Sequence, residues 1–187
     1  MNLMAICTLN LRFTFVSAGE CGRHHDSFVF KNSNMWRDVV SGNDKNYFNK
    51  PEFHLIGDSA FELHNHLLVP YPQPKTRELT AIEKNFNRQL SRGRACIENA
   101  YGFVKGRFRR LKYQIHADLS KAADTIMAAC VLHNMCISNA SDALFRHMLI
   151  PDMEEVTTVD VETFSVEPVI VVTGQQKRDL LAQALQG

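Results

Sequence analysis

Residues 85–112 read NFNRQLSRGRACIENAYGFVKGRFRRLK, and this stretch decides the architecture predicted for the chain. Large apolar residues recur here and just upstream at spacings of three, four or seven: Ile82, Phe86, Leu90, Ile97, Tyr101, Val104, Phe108 and Leu111. Such spacing is typical of the buried face of an amphipathic helix. Thr80 and Glu83 have the spacing of a capping box, which marks a helix start. The sequence therefore predicts one long helix that begins near Thr80 and continues to Lys112.

The charged residues of this helix are almost all basic. Glu98 is its only acid between Lys84 and Lys112, and it lies at the border of the apolar stripe. Nine basic residues share the same span: Lys84, Arg88, Arg92, Arg94, Lys105, Arg107, Arg109, Arg110 and Lys112. One interpretation is a solvated basic face on which Glu98 makes ordinary ion pairs one turn away. The other is a metal-binding carboxylate on a surface that attracts phosphates.

Composition places the chain among globular proteins without a membrane span. It has 187 residues, 45% hydrophobic and 22% charged, and a net charge of +1, so the basic helix is a local concentration of charge. Five cysteines without a CxxC pair argue against a disulfide framework or structural zinc, and favour a reducing compartment. The apolar start lacks a basic segment and is interrupted by Arg12, unlike a signal peptide. No apolar run approaches the roughly 18 to 20 residues of a membrane helix.

The first part of the chain predicts a hairpin followed by a short helix. Residues 3–7 and 11–16 are β-branched, aromatic or aliphatic and read as antiparallel strands joined by a tight turn. Residues 17–22, with two glycines, are predicted as a loop that leads to Asp26 and a helix through Trp36. Asp26 with Ser27 can cap that helix, or Asp26 can serve a functional site at a strand-to-helix junction.

A second acid follows a second strand. Residues 38–51 are polar and predict a loop, after which residues 53–56 form a compact strand that ends at Asp58. A short helical piece is predicted from there to Leu68. Asp58 can cap that piece, or it can be a carboxylate of a functional site at a strand exit. Three prolines in residues 69–74 then predict a rigid extended linker.

The last part predicts one buried helix and a tail. Residues 120–138 are apolar on most sides, with Ser120 as a candidate cap, and His133 is interpreted as a core histidine rather than a ligand. From residue 139 the pattern loosens: residues 152–173 are acidic and β-branched without alternation, which predicts an irregular tail. Residues 175–185 predict a short terminal helix.

Several short motifs, taken in order, resemble one family. They are Gly57-Asp58-Ser59, Pro70-Tyr71, Phe86-Asn87-Arg88, Ile97 to Gly102, Lys105 to Phe108 and Leu132-His133-Asn134, with Gly174 and Arg178 near the end. The chain looks like the DDE nuclease domain of PIF/Harbinger transposases and the nucleases derived from them. The resemblance covers residues 1–138, which we predict to be a partial nuclease domain, followed by the tail at 139–187.

The resemblance implies an α/β fold of the ribonuclease-H type, a mixed five-stranded sheet with flanking helices. It also implies a metal-dependent DNA endonuclease that hydrolyses phosphodiesters with Mg²⁺ or Mn²⁺. By residue-for-residue match, Asp26, Asp58 and Glu98 hold the metal, and Asp58 and Glu98 are catalytic. The residues implied to contact phosphates are Arg94, Lys105, Arg107 and Arg109. A DNA substrate, a Myb-like companion protein and a location in the nucleus, and also the cytoplasm, are further implications.

One departure from the family's pattern leaves two functions open. The family's first catalytic aspartate lies in an Asp-Gly-Thr-His-like segment on its first strand, and this sequence has no counterpart of that segment. The predicted sheet therefore lacks its first strand, and a nuclease of this kind would lack one metal ligand. The alternative is a catalytically inactive transposase remnant that binds DNA or a partner protein.

Overall fold

The computed structural model describes residues 2–20, 22–50, 52–113, 118–137 and 173–186, and they form two compact units. The hairpin unit contains the described residues up to Arg23 and those from Ala95 to Ile137. The Asp58 unit contains His24 to Arg94 together with residues 173–186. One long helix contributes residues to both units.

The predicted hairpin is confirmed and is longer than expected. Strands β1 (Asn2–Cys7) and β2 (Phe13–Glu20) pair antiparallel, so β2 continues through the segment predicted as a loop. It can do so because Gly19 has φ +112° where the register shifts, and a glycine bulge lets the pairing proceed. In the connecting turn Leu11 has φ 64°, uncommon for a residue with a side chain, and is only 1% exposed.

The predicted short helix is two helices, α1 (Asp26–Asn32) and α2 (Asn34–Val40). Ser33 separates them: its backbone is extended, and its hydroxyl accepts a hydrogen bond from the Trp36 N–H as the cap of α2. The interpretation of Asp26 with Ser27 as a cap is wrong, because His25 holds that position without a side-chain cap bond. The predicted loop at 38–51 begins only after α2 and contains a 3-10 turn at Asp44–Asn46.

The strand before Asp58 is shorter than predicted, and the helical piece after it is absent. Strand β3 is Leu55–Ile56, and it pairs in parallel with β4, Leu67–Leu68. The helix prediction fails because the chain reverses at residues 65–66: His64 and Leu67 exchange two backbone hydrogen bonds of 2.9 and 3.0 Å. The reversal lets the next residues pair with β3.

Helix α3 spans Ala81–Arg107, and its predicted capping box is confirmed. The Glu83 N–H donates to the Thr80 hydroxyl at 3.3 Å, and the Thr80 N–H donates to the Glu83 carboxylate at 2.7 Å. The prediction that the helix reaches Lys112 is wrong. Phe108 leaves helical geometry (φ −108°, ψ 77°), and a 3-10 turn at Arg109–Lys112 follows.

Each unit has its own core around α3. In the hairpin unit, Phe13 packs with Ala100 and Phe103 of α3, which are more deeply buried than most of the predicted stripe. In the Asp58 unit, Phe86 and Leu90 bury the predicted stripe. The remaining buried members of these cores are Leu11, Val104, Ala129 and Cys130 in the first unit, and Leu68, Tyr71 and Ala182 in the second.

Two further helices complete the described residues. Helix α4 (Leu119–Cys136) follows Asp118 as cap position, so the Ser120 cap is wrong, and it buries one face only. His133 is fully buried in that face, which confirms the core-histidine prediction. Helix α5 (Gly174–Ala184) confirms the predicted terminal helix and starts with a capping box of Thr173 and Gln176. The predicted irregular tail at 152–173 lies almost entirely outside the described residues.

The predicted mixed α/β class is confirmed in its coarse form. In the part of the chain that is described, the strands form two separate two-stranded sheets, one antiparallel and one parallel, instead of one five-stranded sheet. No described helix combines the length and apolar character that crossing a membrane requires.

Candidate functional site

Asp58 lies at the exit of the parallel pair β3 and β4. One carboxylate oxygen, Oδ1, accepts a hydrogen bond from the Ala60 N–H at 2.8 Å, so the chain turns tightly around the acid. Gly57 just before it is buried, and a Cβ there would lie 3.1 Å from the Phe61 ring. The Asp58 side chain is 37% exposed. It can therefore reach solvent while its backbone is held in place.

Arg94 faces the other oxygen of Asp58. The distance from Arg94 Nη2 to Asp58 Oδ2 is 3.7 Å, and the arginine side chain is 29% exposed. The helix comes close to β3 at the preceding residue, since a Cβ on Gly93 would lie 2.7 Å from Ile56 Cδ1. A glycine here lets α3 bring a guanidinium to the strand exit. The structure thus gives Arg94 a carboxylate partner, and its phosphate contact stays a prediction.

Asp26 belongs to the same unit as Asp58. It is the first residue of α1 and is exposed. A carboxylate in the first turn of a helix is favoured by the positive end of the helix dipole. Ser27, the next residue, lines a pocket that is described below. Asp26 thus occupies an accessible position at the entry of α1.

Glu98 lies on the part of α3 that belongs to the hairpin unit, and it is exposed. Ala100 and Phe103 hold the opposite face of the helix in the core, with 0% and 1% exposure. Of the predicted phosphate contacts in this unit, Lys105 and Arg109 are exposed, and Arg107 is half-buried. The last helical turn and the following 3-10 turn thus present a basic surface, and cations at a helix C-terminus are stabilised by the dipole.

The metal chemistry implied for the family requires several oxygen ligands close together. Aspartate and glutamate oxygens are the ligands that Mg²⁺ and Mn²⁺ prefer, so the donor types fit. However, across the described residues no three His, Cys, Asp or Glu side chains form a group that could hold a metal ion. Asp58 is directed instead toward Ala60 and Arg94. Asp26 and Asp58 lie in one compact unit and Glu98 in the other, so neither unit by itself contains all three acids.

Sequence reasoning missed the residues that fix the segment after β4. Asn87 of α3 accepts a hydrogen bond from the Tyr71 N–H at 2.8 Å and donates to the Tyr71 carbonyl at 3.0 Å. The Arg178 guanidinium lies 4.0 Å from the centre of the Tyr71 ring, and the Tyr71 hydroxyl donates to Asp179 at 2.6 Å. The signals in the sequence were the family motifs that contain Tyr71, Asn87 and Arg178, and these motifs do not indicate that the three residues contact one another.

Burial shifts the pKa of several groups around this segment. It lowers the pKa of Lys177 to about 8, and the Lys177 ammonium donates to the carbonyls of Asn65 at 2.9 Å and Phe53 at 3.3 Å. It raises the pKa of the Tyr71 hydroxyl, with a further contribution from Asp179. It also lowers the pKa of His64, so this imidazole is neutral at pH 7. The backbone beyond Asp58 is thus held by buried polar groups.

A carboxylate at a strand exit beside an arginine, and a basic helix end of the kind that attracts phosphates, are features expected of a protein that acts on nucleic acid. The chain belongs to a family of this class, the DDE superfamily endonucleases, whose model matches residues 1–134. Relatives named for the Harbinger-derived nuclease confirm the family that the sequence motifs indicated.

Three relatives illustrate the similarity. The mouse protein named "Putative nuclease HARBI1" is 29% identical over 145 residues, 76% of this chain and 39% of that protein. The human protein of the same name is 24% identical over 183 residues, 92% of this chain and 50% of that protein. "Protein ALP1-like" of Arabidopsis thaliana is 30% identical over 152 residues, 77% of this chain and 37% of that protein. The chain thus spans half or less of the length of these relatives. No solved structure matches it.

Proposed function

We propose that this chain is part of a metal-dependent DNA endonuclease that hydrolyses phosphodiester bonds. Its carboxylates are Asp26, Asp58 and Glu98, of which Asp58 and Glu98 act in catalysis, and its ion is Mg²⁺ or Mn²⁺. The observation that carries the proposal is the match of residues 1–134 to the DDE endonuclease family. The ion, when bound, supplies a Lewis acid and an activated water for attack on phosphorus.

The chain's own residues have separate parts in this proposal. Arg94 is a positioning residue that keeps the Asp58 carboxylate at the end of β3. The proposed phosphate contacts are Arg94, Lys105, Arg107 and Arg109. Binding of such cations to the phosphate backbone is favoured because it releases the counterions that surround DNA. The ribonuclease-H type of fold belongs to the proposal as well. The parallel pair β3 and β4, with an acid at its exit, supports it.

The partners and the location are inferred on the same basis. DNA is the proposed substrate, a Myb-like protein is the proposed companion, and the nucleus, with the cytoplasm as a second site, is the proposed location. A companion would supply sequence-specific binding, because phosphate contacts position a protein on DNA without reading its bases.

Replacement of Glu98 by Gln tests the proposed chemistry. The amide keeps the size of the side chain and removes its charge, so cleavage of supercoiled plasmid in Mn²⁺ should fall by at least about a hundredfold. Asp58→Asn should cause a similar loss. Asp124→Asn is the matched control, because Asp124 is an exposed acid on α4 with no proposed part in the reaction.

The cleavage rates of the variants and of the unmodified chain can support or contradict the proposed hydrolase. If Glu98→Gln and Asp58→Asn cut as fast as the unmodified chain, these carboxylates are not catalytic. If the unmodified chain retains DNA but does not cut it in either metal, the chain is an inactive binding module, and the hydrolase assignment is wrong.

A further inference from the structure

A pocket in the Asp58 unit has no part in the function proposed so far. Its volume is about 270 Å³, and it lies between helices α1 and α2 and the chain that follows Asp58. The lining residues that matter are Phe30, Lys31, Trp36, Phe61, Glu62 and His64. Ser27, which directly follows Asp26, also lines it. The pocket therefore touches the elements that carry Asp26 and Asp58, two of the three proposed metal-binding carboxylates.

Aromatic rings form the walls of this pocket. The Phe30 ring lies 4.7 Å from Trp36 and 5.5 Å from Phe61, measured between ring centres. Trp36 in turn meets the His64 ring edge-on at 4.9 Å. Rings that pack against one another hold their orientation, so the walls are preformed. A flat, unsaturated ligand matches such walls best.

The polar groups of the pocket are few and directed. His64 Nδ1 accepts a hydrogen bond from the His66 N–H at 3.3 Å, so in the neutral ring the proton is carried by Nε2. Burial lowers the pKa of His64, which keeps this tautomer uncharged at pH 7. The pocket is thus lined by a neutral imidazole whose Nε2–H can donate a hydrogen bond.

The mouth of the pocket carries charge. Lys31 Nζ lies 2.6 Å from a Glu62 carboxylate oxygen, and the two side chains are 50% and 74% exposed. An ion pair in solvent contributes little to stability, so Lys31 can exchange this partner for an incoming anion at low cost. A ligand that is flat at one end and anionic at the other matches these groups if its anion displaces Glu62 from Lys31.

The volume of the pocket limits the size of the ligand that it can bind. Pockets for drug-sized molecules measure about 300 to 1,000 Å³. At about 270 Å³ this one accommodates a single fused or unfused ring system. A nucleotide combines a flat base that carries hydrogen-bond acceptors with a negatively charged phosphate, joined to the base through the sugar.

We propose that this pocket binds one unstacked nucleobase of a single-stranded or locally opened DNA substrate, with His64 Nε2 donating to a ring acceptor and Lys31 beside the adjoining phosphate. The inference rests on the proposed function for its choice of DNA. Base contact with protein rings is the usual way in which single strands are held, because every base has a stacking face. An aromatic side chain of a protein partner fits less well, because it has no anion to offer Lys31.

Trp36 allows direct measurement of occupancy. It is the single tryptophan of the 187 residues, so fluorescence excited at wavelengths that tyrosine does not absorb reports from this pocket alone. The full chain is titrated with a short single-stranded oligonucleotide in EDTA, where no cleavage occurs, and with the same strand made entirely of abasic sites. The intact strand should quench or shift Trp36 emission, and the abasic strand should bind with little optical change.

Two variants separate the groups involved. His64→Phe keeps a ring but removes the donor, and Lys31→Ala removes the cation at the mouth; each should weaken the optical response about tenfold in apparent affinity. Phe53→Ala and Lys45→Ala are matched controls, since both side chains are exposed in the same unit and lie outside the pocket. Thermal unfolding shows whether each variant is folded. Should His64→Phe unfold, Lys31→Ala, whose side chain is half exposed, still decides the question.

Each outcome bears on one proposal. Equal Trp36 responses to intact and abasic strands, or a response to an aromatic peptide but not to DNA, overturn base binding. If cleavage depends on Glu98 while Trp36 is indifferent to bases, the nuclease proposal stands and the pocket proposal falls. If no cleavage is found but intact strands alone change Trp36 emission, the pocket proposal stands without the hydrolase.

Discussion

Two asparagine side chains each form hydrogen bonds with both backbone polar groups of a single distant residue. Asn134 of α4 accepts a hydrogen bond from the Phe13 N–H at 2.9 Å and donates to the Phe13 carbonyl at 2.7 Å. Asn87 does the same for Tyr71. An amide side chain offers the same donor and acceptor as a peptide group, so it satisfies both backbone groups of one residue. Each helix is thereby fixed to a particular residue of the chain that it covers.

Asn134→Ala should lower the free energy of unfolding by about 2 to 4 kcal/mol. The substitution leaves two backbone groups of Phe13 without their partner, and Phe13 is only 5% exposed, so water cannot easily replace the bonds. Urea denaturation measures the change, and Asp124→Ala, an exposed substitution on the same helix, is the control. A decrease no larger than that of Asp124→Ala would show that the pair of hydrogen bonds contributes nothing.

Sequence reasoning could not have found these roles. In the sequence Asn87 and Asn134 are only members of short motifs, because an asparagine on a helix indicates no partner until the tertiary structure brings one close. His133 was placed correctly in the core, since its spacing with Ala129 and Cys130 defines a helix face. Its contact, 3.0 Å from Nε2 to the Leu11 carbonyl, depends on the turn conformation of Leu11 and was equally invisible.

At the scale of elements, α5 is a structural part of the Asp58 unit. Its Arg178 guanidinium donates to the carbonyls of Val69 and Pro70, at 3.5 and 3.2 Å, in a segment that three prolines leave poor in N–H groups. Gly174 allows the close approach, because a Cβ there would lie 2.7 Å from the His64 carbonyl carbon. The segment predicted as a rigid extended linker is consequently packed against α5, with Val69 and Tyr71 buried.

Lys177 predicts a pH dependence for this element. Its pKa is about 8 in the folded chain against an ordinary 10.5, because burial disfavours the ammonium. Between these two values the unfolded chain binds more protons than the folded chain, so the free energy of unfolding rises with pH. Below about pH 8 both states carry the proton, and the burial cost is fully present.

Lys177→Met should remove that contribution. The difference in unfolding free energy between the native chain and this variant should shift in favour of the native chain as pH rises from about 8 to 10.5. Urea denaturation at several pH values in this window measures it, with Lys45→Met as the exposed control. A difference that is constant across the window, or that moves the other way, would contradict the burial of a charged Lys177.

The elements that were predicted correctly are those with local signals. The hairpin strands, the capping box of α3 and the terminal helix follow from alternation, spacing and caps within a few residues. Strand β4 was missed, because two residues are too short for a periodic pattern and their partner β3 is twelve residues away. The contact of Arg94 with Asp58 also lay beyond the sequence, since it depends on the approach that Gly93 permits.

At the scale of the whole molecule, the small net charge conceals a local concentration of basic residues. The net charge is +1, yet the end of α3 and the 3-10 turn after it carry Lys105, Arg107, Arg109, Arg110 and Lys112. Such a local surface is what sequence-independent binding to phosphates requires. The acids that balance it are located elsewhere in the chain.

Reversal of two of these charges should weaken DNA binding at every sequence. Lys105→Glu combined with Arg109→Glu removes two exposed cations, and the slope of log affinity against log salt should decrease by about 0.9 for each phosphate that is no longer neutralised. Filter retention of duplex DNA over a range of salt concentrations measures the slope. Lys45→Glu with Lys50→Glu, also exposed, makes the same change in net charge. Equal slopes for the two double variants would exclude a DNA-binding role of the α3 end.

The order of the elements along the chain also determines when each unit can fold during translation. A ribosome delivers every described element of the hairpin unit, through α4, before the helix that completes the Asp58 unit. Until α5 emerges, Leu68 and Tyr71 lack one of their apolar neighbours, Ala182, and the carbonyls of Val69 and Pro70 lack Arg178. A nascent chain that pauses before α5 is synthesised therefore exposes apolar side chains and unpaired carbonyl groups of the Asp58 unit. Chaperones that bind nascent chains should bind this one most strongly at that stage of translation.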